Sequence, residues 1–381
     1  MNMISIIMLV IGFAYAAIIM LLTWGWFKLK SISVGKSHFS TFVSIIIPAR
    51  NEEKNIITCL NHLLLQNYPK KLFEIIIVDD NSTDHTAELV KKFILANEYH
   101  GIKIRLLNLS ETAITSGYKK AAIKHGIINS SGNLIVTTDA DCKSGEKWIS
   151  SIVSMYETEH PKMIVAPVKI VTNNTFFSRL QALEFQSMIA STAGAIGVGM
   201  PIMCNGANLA YSKEAFSDVG GFDGNEKFAS GDDLFLLFKI CNKFGYQSVK
   251  FLKNSNAMIM TQPMNTFKDF LHQRLRWVSK SKGYKSITII ITAMIVYLFN
   301  LILITGLIIS FFNTKFINLE ISLFLLKILF DFPLMISITR FAKQQNLMWF
   351  YLPLQVLNIF YTVGVGFGGN FVRTSWKGRK L

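Results

Sequence analysis

The stretch FVSIIIPARNEE, residues 42–53, sets an unbroken apolar, β-branched run directly against a proline, an arginine and two glutamates. A run of this length without polar alternation reads as a strand buried on both faces, as in a parallel sheet covered by helices. The arrangement recurs downstream. FEIIIVDDNSTD (73–84) repeats it with Asp79 and Asp80 at the end of the run, IKIRLLNL (102–109) supplies a third strand, and NLIVTTDADC (133–142) a fourth that ends on Asp139 and Asp141. Helical patterns over 51–66, over 83–98 and up to Gly126 separate the strands. Strand and helix in alternation predict an α/β fold with a mostly parallel sheet and helices on both faces. In open sheets of this kind ligands bind outside the carboxyl ends of the strands, and there the sequence places PARNEE, the Asp79–Asp80 pair and the Asp139–Asp141 pair.

This pattern occupies only part of the 381 residues. Half of the chain is hydrophobic and 17% is charged, and the deficit of charge is concentrated: residues 3–27, 286–314 and 346–372 carry none. Each run exceeds the ~20 residues that cross a ~30 Å hydrocarbon core. A further apolar run, 316–339, holds Glu320, Lys327, Asp331 and Pro333, and ionisable groups at that depth are expected to face protein or water. The chain therefore reads as an integral, multi-pass membrane protein with one amino-terminal span and two or three carboxy-terminal ones. The first run begins MNMIS without a positive region and is too long for the core of a cleaved signal, so an uncleaved anchor is expected. Lys28, Lys30 and Lys36 follow it, which by the positive-inside rule puts the α/β domain in the cytoplasm. The carboxy-terminal topology stays open, because three crossings put the basic tail outside while two plus a re-entrant segment keep it inside. Domain boundaries follow: an anchor at 1–27, the α/β domain at 37–263, an interfacial helix at 264–285, a membrane region at 286–372 and a basic tail at 373–381.

The four cysteines, Cys59, Cys142, Cys204 and Cys241, are widely spaced, which argues against a zinc site or a disulfide framework. The net charge of +15 suits anionic lipid headgroups or a phosphorylated substrate. Basic residues cluster beside the spans and no nucleic-acid motif occurs, so no nucleic-acid partner is expected. The first strand lacks G-x-G-x-x-G, and no G-x-x-x-x-G-K-[ST], G-x-S-x-G or H-E-x-x-H is present, which excludes the cofactor and hydrolase classes those loops mark.

Two carboxylates one residue apart, as in Asp139-Ala140-Asp141, can turn toward one hard cation such as Mg²⁺ or Mn²⁺ whose shell substrate phosphates complete. A solvated turn after a strand is the plainer alternative. Within VDDNSTD, residues Ser82 to Asp84 can cap the next helix, while Asp79 and Asp80 either complete the turn or accept hydrogen bonds from a nucleoside. The glycine-rich CNGANLAYSKEAFSDVGGF (204–222) suggests close backbone approach to substrate, with Asn208 expected at the acceptor. Asp232 and Asp233 open a helix; either both complement its dipole, or one does and the other is available as a general base. On a helix from Met264 to Tyr284, Met264, Phe267, Leu271, Leu275 and Val278 form an apolar stripe for the membrane. Gln273, Arg276 and Trp277 fall opposite it, and Lys268, Arg274, Lys280, Lys282 and Lys285 are expected at headgroup phosphates.

Taken in order, PARNEE, VDDNSTD, DAD, GDD and QRLRW resemble the motifs of family 2 glycosyltransferases of the membrane-bound GT-A type. That family includes cellulose, chitin, hyaluronan and poly-N-acetylglucosamine synthases and ceramide glucosyltransferases. The resemblance covers roughly residues 40–280. It implies a sugar-nucleotide donor, most often UDP-linked, held by Pro48, Ala49, Glu52, Asp79 and Asp80, with Lys119 reaching its phosphates. It further implies Asp139 and Asp141 as metal contacts, Asp233 as the base beside Asp232, Gln273 and Arg276 on the diphosphate and Trp277 at the acceptor entrance. Tyr118 and Lys124 depart from the usual glycine and asparagine around Lys119. The function expected is inverting transfer of a hexose or N-acetylhexosamine to a membrane-associated acceptor, a lipid ahead of a growing glycan. The alternatives are a processive polysaccharide synthase, acting with a partner subunit or as an oligomer, and an inactive membrane scaffold.

Overall fold

The computed structural model describes residues 3–32, 38–109, 117–224, 231–279, 283, 286–369, 375–376 and 379–380, and the chain divides into two compact units. Lys36, Lys280, Lys282, Lys285 and the side chains of the basic tail fall outside the described residues. After an amino-terminal helix, α1 (Met3–Lys28), the chain enters an α/β unit made of residues 30–171, 203–262 and 375–381. The four expected strands form: β1 (Val43–Ala49), β2 (Phe73–Asp79), β3 (Lys103–Asn108) and β4 (Leu134–Thr137). Between them lie α2 (Ile56–Leu64), α3 (Thr86–Ala96) and α4 (Tyr118–Ile128). The rest of the unit comprises α5 (Trp148–Glu159), β5 (Met163–Val165), β6 (Val168–Ile170), β7 (Leu209–Ser212), α7 (Lys213–Asp218), α8 (Asp232–Phe244), β8 (Val249–Phe251) and β9 (Ile259–Thr261). The helix numbered α6 belongs to the second unit.

Seven strands form one sheet in the order β3-β2-β1-β4-β7-β5-β8. β7 runs against both neighbours, and the other pairings are parallel. The chain leaves β1 toward β2 and β3, then returns to place β4 on the other side of β1. That reversal opens a crevice at the carboxyl ends of β1 and β4, which is where such sheets bind ligands. The apolar runs are buried on both faces, with Ile45, Ile46, Ile47, Ile75, Ile76 and Ile77 all at 0% exposure. At the opposite end of the strands, buried Glu74 accepts the Ser44 hydroxyl (2.8 Å) and the Ser131 N–H (2.6 Å) and pairs with Arg105 (3.0 Å).

The second unit, residues 1–29, 172–202 and 263–374, is helical. Beside α1 it contains α6 (Phe176–Gly197), α9 (Phe267–Ser279), α10 (Ile287–Phe312), α11 (Ile317–Phe341) and α12 (Tyr351–Gly368). Among the described residues, four helical segments are long and apolar enough to cross a membrane: α1, α10, 314–341 and 345–368. Helix α6, which begins with the stretch FFSRLQALEF from Phe176, packs against α1 and α11. Glycines make the α1–α6 approach close: a Cβ on Gly25 would stand 2.0 Å from the Gly194 carbonyl oxygen, and one on Gly194 2.2 Å from that of Leu22. Glu320, Lys327 and Asp331 of α11 face the interior, as expected. Lys327 is 1% exposed and donates to Asp331 (2.7 Å) and to the Tyr15 hydroxyl (3.1 Å), which itself donates to Asp331 (2.7 Å).

Candidate active site

The turns after β1 and β2 are laced together. Asn51 and Asn81 both take a left-handed conformation, at φ 52° each, a region that asparagine tolerates better than most residues. The Asn51 carboxamide oxygen accepts the Thr83 N–H (2.8 Å), and the Ser82 hydroxyl accepts the Asn51 N–H (3.0 Å). Arg50 donates to the carbonyls of Asp80 (2.6 Å) and Asn81 (3.1 Å). Asp84 accepts the Thr86 N–H and hydroxyl, so the start of α3 is served as the sequence suggested. Asp79 closes its own turn by accepting the Ser82 hydroxyl at 2.5 Å. Ala49 and Asp80 are buried and hydrogen-bonded through the backbone at 2.8 Å, while Pro48 and Glu52 stay half-buried at the rim.

Asp139 and Asp141 follow β4 on one turn, both half-buried. They are hard oxygen donors, the type that suits Mg²⁺ or Mn²⁺ when phosphate oxygens complete the shell. The Lys119 ammonium lies 2.5 Å from Asp139, so this carboxylate is already turned toward a cation. Beneath the turn, the thiols of Cys59 and Cys142 are held well above the usual range by burial, with the Asp141 and Asp139 charges adding to it. Both therefore stay protonated.

Lys119 and Lys120 open α4 and part company there. Lys120 turns inward to Asp232 (3.3 Å), and the two side chains are each 9% exposed. Asp233, next in the chain, is half-buried. Its Oδ2 accepts the Gly206 N–H at 3.0 Å, and its Oδ1 accepts the Leu234 N–H at 2.9 Å. The Gly206 carbonyl in turn accepts the Thr137 hydroxyl at the end of β4 (3.0 Å), which ties Asp233 to the strand that carries Asp139. Of the two candidate bases, Asp232 is committed to a buried ion pair, and Asp233 is held in a half-buried position by backbone N–H groups.

Asn208 is a correction. It is fully buried, with its amide donating to the carbonyls of Pro167 (2.7 Å) and Ala257 (2.8 Å) and its oxygen accepting the Trp148 indole N–H (2.9 Å). Both polar atoms of the side chain are engaged inside the α/β unit, so it is a structural tie rather than an acceptor contact.

In the helical unit, α9 carries Gln273, Arg276 and Trp277, all partly exposed. Here Arg274 departs from expectation. It is 1% exposed and forms a two-pronged pair with Glu184 of α6, through Nε at 3.2 Å and through Nη2. It does not reach a headgroup. Part of the apolar stripe is also spoken for: Leu275 and Val278 pack against Gly368 and Gly369 at the end of α12, while Phe267 remains exposed.

Residues 134–363 match the family described as glycosyl transferase family group 2, and residues 44–220 match glycosyl transferase family 2. The chain belongs to glycosyl transferase family group 2. Curated relatives agree. A glycosyltransferase of Haloferax volcanii, AglE, is 28% identical over 62% of this chain and 71% of its own length. A dolichyl N-acetyl-alpha-D-glucosaminyl phosphate 3-beta-D-2,3-diacetamido-2,3-dideoxy-beta-D-glucuronosyltransferase of Methanococcus voltae is 27% identical over 70% and 83% respectively. The fold matches that of a mannosyltransferase from Pyrobaculum calidifontis, solved with GDP-mannose and Mn²⁺, at a TM-score of 0.56 and 16% identity over 94% of this chain and 99% of that one.

In this glycosyltransferase, sequence reasoning missed Lys120, Glu184 and Tyr361. Lys120 carries a signal in hindsight, since two successive lysines at a helix start point apart. Glu184 and Tyr361 carry none, because they meet Arg274 only through the packing of α6 and α12 on α9.

Proposed function

We propose that this glycosyltransferase moves one sugar from a nucleotide-sugar, most often a UDP-sugar, to a lipid-linked acceptor at the membrane, with inversion at the anomeric carbon. The observation that carries the reading is the division between Asp232 and Asp233: Asp232 is paired with Lys120, while Asp233 stays half-buried, oriented by the Gly206 N–H and tied through Gly206 to the Thr137 hydroxyl at the end of β4. Asp233 takes the proton of the acceptor hydroxyl. The acceptor oxygen attacks the anomeric carbon from the side opposite the diphosphate, the bond to the diphosphate breaks, and the nucleoside diphosphate leaves. Lys119 and Arg276 meet the negative charge that develops on the leaving group. Asp139 and Asp141 would hold a divalent ion, which when bound would further neutralise the diphosphate. Pro48, Ala49, Glu52 and Asp80 line the nucleoside end, with Asp79 supporting the turn, and Gln273 and Trp277 act on the diphosphate and at the acceptor entrance. The positive residues after α1 support a cytoplasmic α/β unit. The lipid acceptor draws support from the Methanococcus relative, whose name specifies a dolichyl phosphate-linked sugar.

Calorimetric titration of the detergent-purified protein with UDP, GDP and other nucleoside diphosphates, with Mn²⁺ or with chelator, tests the donor side. Binding that needs the metal and is lost in Asp139→Ala and Asp141→Ala variants is expected. Metal-independent binding of equal strength removes the metal from the account. Product stereochemistry, read from the anomeric proton coupling, tests inversion.

A further inference from the structure

Gln273, Arg274 and Trp277 of α9 are in mutual contact through Arg274, which touches both of the others. The Arg274 guanidinium is fixed on every side. Glu184 of α6 accepts from Nε and Nη2, the Phe270 ring lies 4.6 Å from its carbon, and the Trp277 ring lies 4.3 Å away on the same helix. Tyr361 of α12 donates its hydroxyl to Glu184 at 3.3 Å and stacks near Phe270. The remaining arm of the guanidinium, Nη1, lies 2.5 Å from Gln273 Oε1.

That last contact has a chemical consequence. A guanidinium only donates hydrogen bonds, so the atom of Gln273 facing it must be the carbonyl oxygen. The Gln273 amide is therefore held one way round, with its NH₂ as the donor side turned away from Arg274. Trp277 is held likewise, by stacking on Arg274 and by the Phe185 ring at 6.2 Å.

We propose that the buried Glu184–Arg274 pair is a positioning device for glycosyl transfer: it sets the amide of Gln273 and the ring of Trp277, and Tyr361 ties this setting to the last membrane helix. The proposal rests on the glycosyltransferase reading above. It makes Arg274, Glu184 and Tyr361 positioning residues that act through Gln273 and Trp277 without touching substrate.

A buried ion pair serving stability alone is replaceable by apolar side chains of similar volume at little or no cost. The test therefore uses Glu184→Leu/Arg274→Met, with Arg274→Lys as a second variant that keeps the charge on Glu184 but loses the planar fork and its stacking. Thermal unfolding, kcat/KM for transfer, and the ¹⁹F line of fluorotryptophan at Trp277, assigned with Trp277→Phe, are measured on each. The expected result is a retained fold, kcat/KM lower by roughly 10- to 100-fold in both variants, and a displaced Trp277 line. Folded variants with wild-type kcat/KM and an unmoved line overturn the proposal. If the double variant does not fold, Arg274→Lys decides by the same readouts. If the wild type transfers no sugar from any donor, the glycosyltransferase reading fails separately, and the Trp277 line alone decides the positioning: displaced supports it, unmoved overturns it.

Discussion

Asp232 and Asp233 are consecutive residues whose carboxylates serve different ends: the first is buried against Lys120 at 3.3 Å, the second is half-exposed and held by the Gly206 N–H at 3.0 Å. Helix geometry sends adjacent side chains about 100° apart, so one turn inward and one outward is what two neighbouring acids at a helix start can do. Substitution separates the roles. Asp233→Asn is expected to fold as the wild type does and to lose transfer by about 10²- to 10⁴-fold, the range for a missing general base. Asp232→Asn strands the Lys120 ammonium and is expected to lower stability by about 3–5 kcal/mol. Thermal unfolding alongside initial rates checks both.

Lys119 lies on Asp139 at 2.5 Å, and the proposed mechanism has it shift from that carboxylate to a donor diphosphate. Lys119→Ala is expected to raise the donor KM and lower kcat while leaving thermal stability within about 1 kcal/mol, because a part-exposed ion pair contributes little to folding. Unchanged kinetics count against a role in donor binding.

The contact between α1 and α6 leaves no room for a side chain. Gly194→Ala puts a methyl group where the Leu22 carbonyl oxygen is only 2.2 Å away, so the helices must separate. A loss of about 1–3 kcal/mol, the usual cost of overpacking, is expected in detergent. Gly101→Ala serves as a control of another kind, since a Cβ there meets nothing within 4 Å and only its backbone conformation, at φ 71°, is opposed.

Burial opposes the charge on Glu74, but the Ser131 N–H, the Ser44 hydroxyl, Arg105 and Lys103 outweigh it and hold its carboxyl below the ordinary range. A depressed folded-state pKa means that the charged form stabilises the fold. The contribution is complete above the unfolded value of about 4.3 and is lost as pH falls through the lower folded value. Unfolding midpoints measured from pH 7 down to 3 are expected to fall more steeply in the wild type than in Glu74→Gln, whose stability is lower at pH 7 and flatter below it.

The strands and their acidic ends were legible because both are local: an apolar run, then a turn, then a helix start, all within about a dozen residues. FVSIIIP and FEIIIVDD became β1 and β2 within a residue of expectation, and the Asp139 turn followed β4 as read. What stayed hidden depended on partners distant in the chain. Nothing near Asp232 announces Lys120, which reaches it from α4. Arg274 reads as one more interfacial cation until Glu184, 90 residues earlier, comes beside it. Asn208 sits in a glycine-rich turn that suggests a ligand, yet its amide is consumed by Pro167, Ala257 and Trp148.

The central claim is that the carboxylate of Asp233 drives transfer of a sugar to a membrane acceptor. It is tested most directly by incubating purified wild-type and Asp233→Asn protein with nucleotide-sugars, Mn²⁺ and extracted membrane lipids, and weighing the lipid products by mass spectrometry. The account predicts a lipid carrying one added sugar with the wild type and almost none with the variant. Equal product from both, or no product from the wild type with any donor, would contradict it, and a ladder of repeated additions would replace single transfer with polymer synthesis.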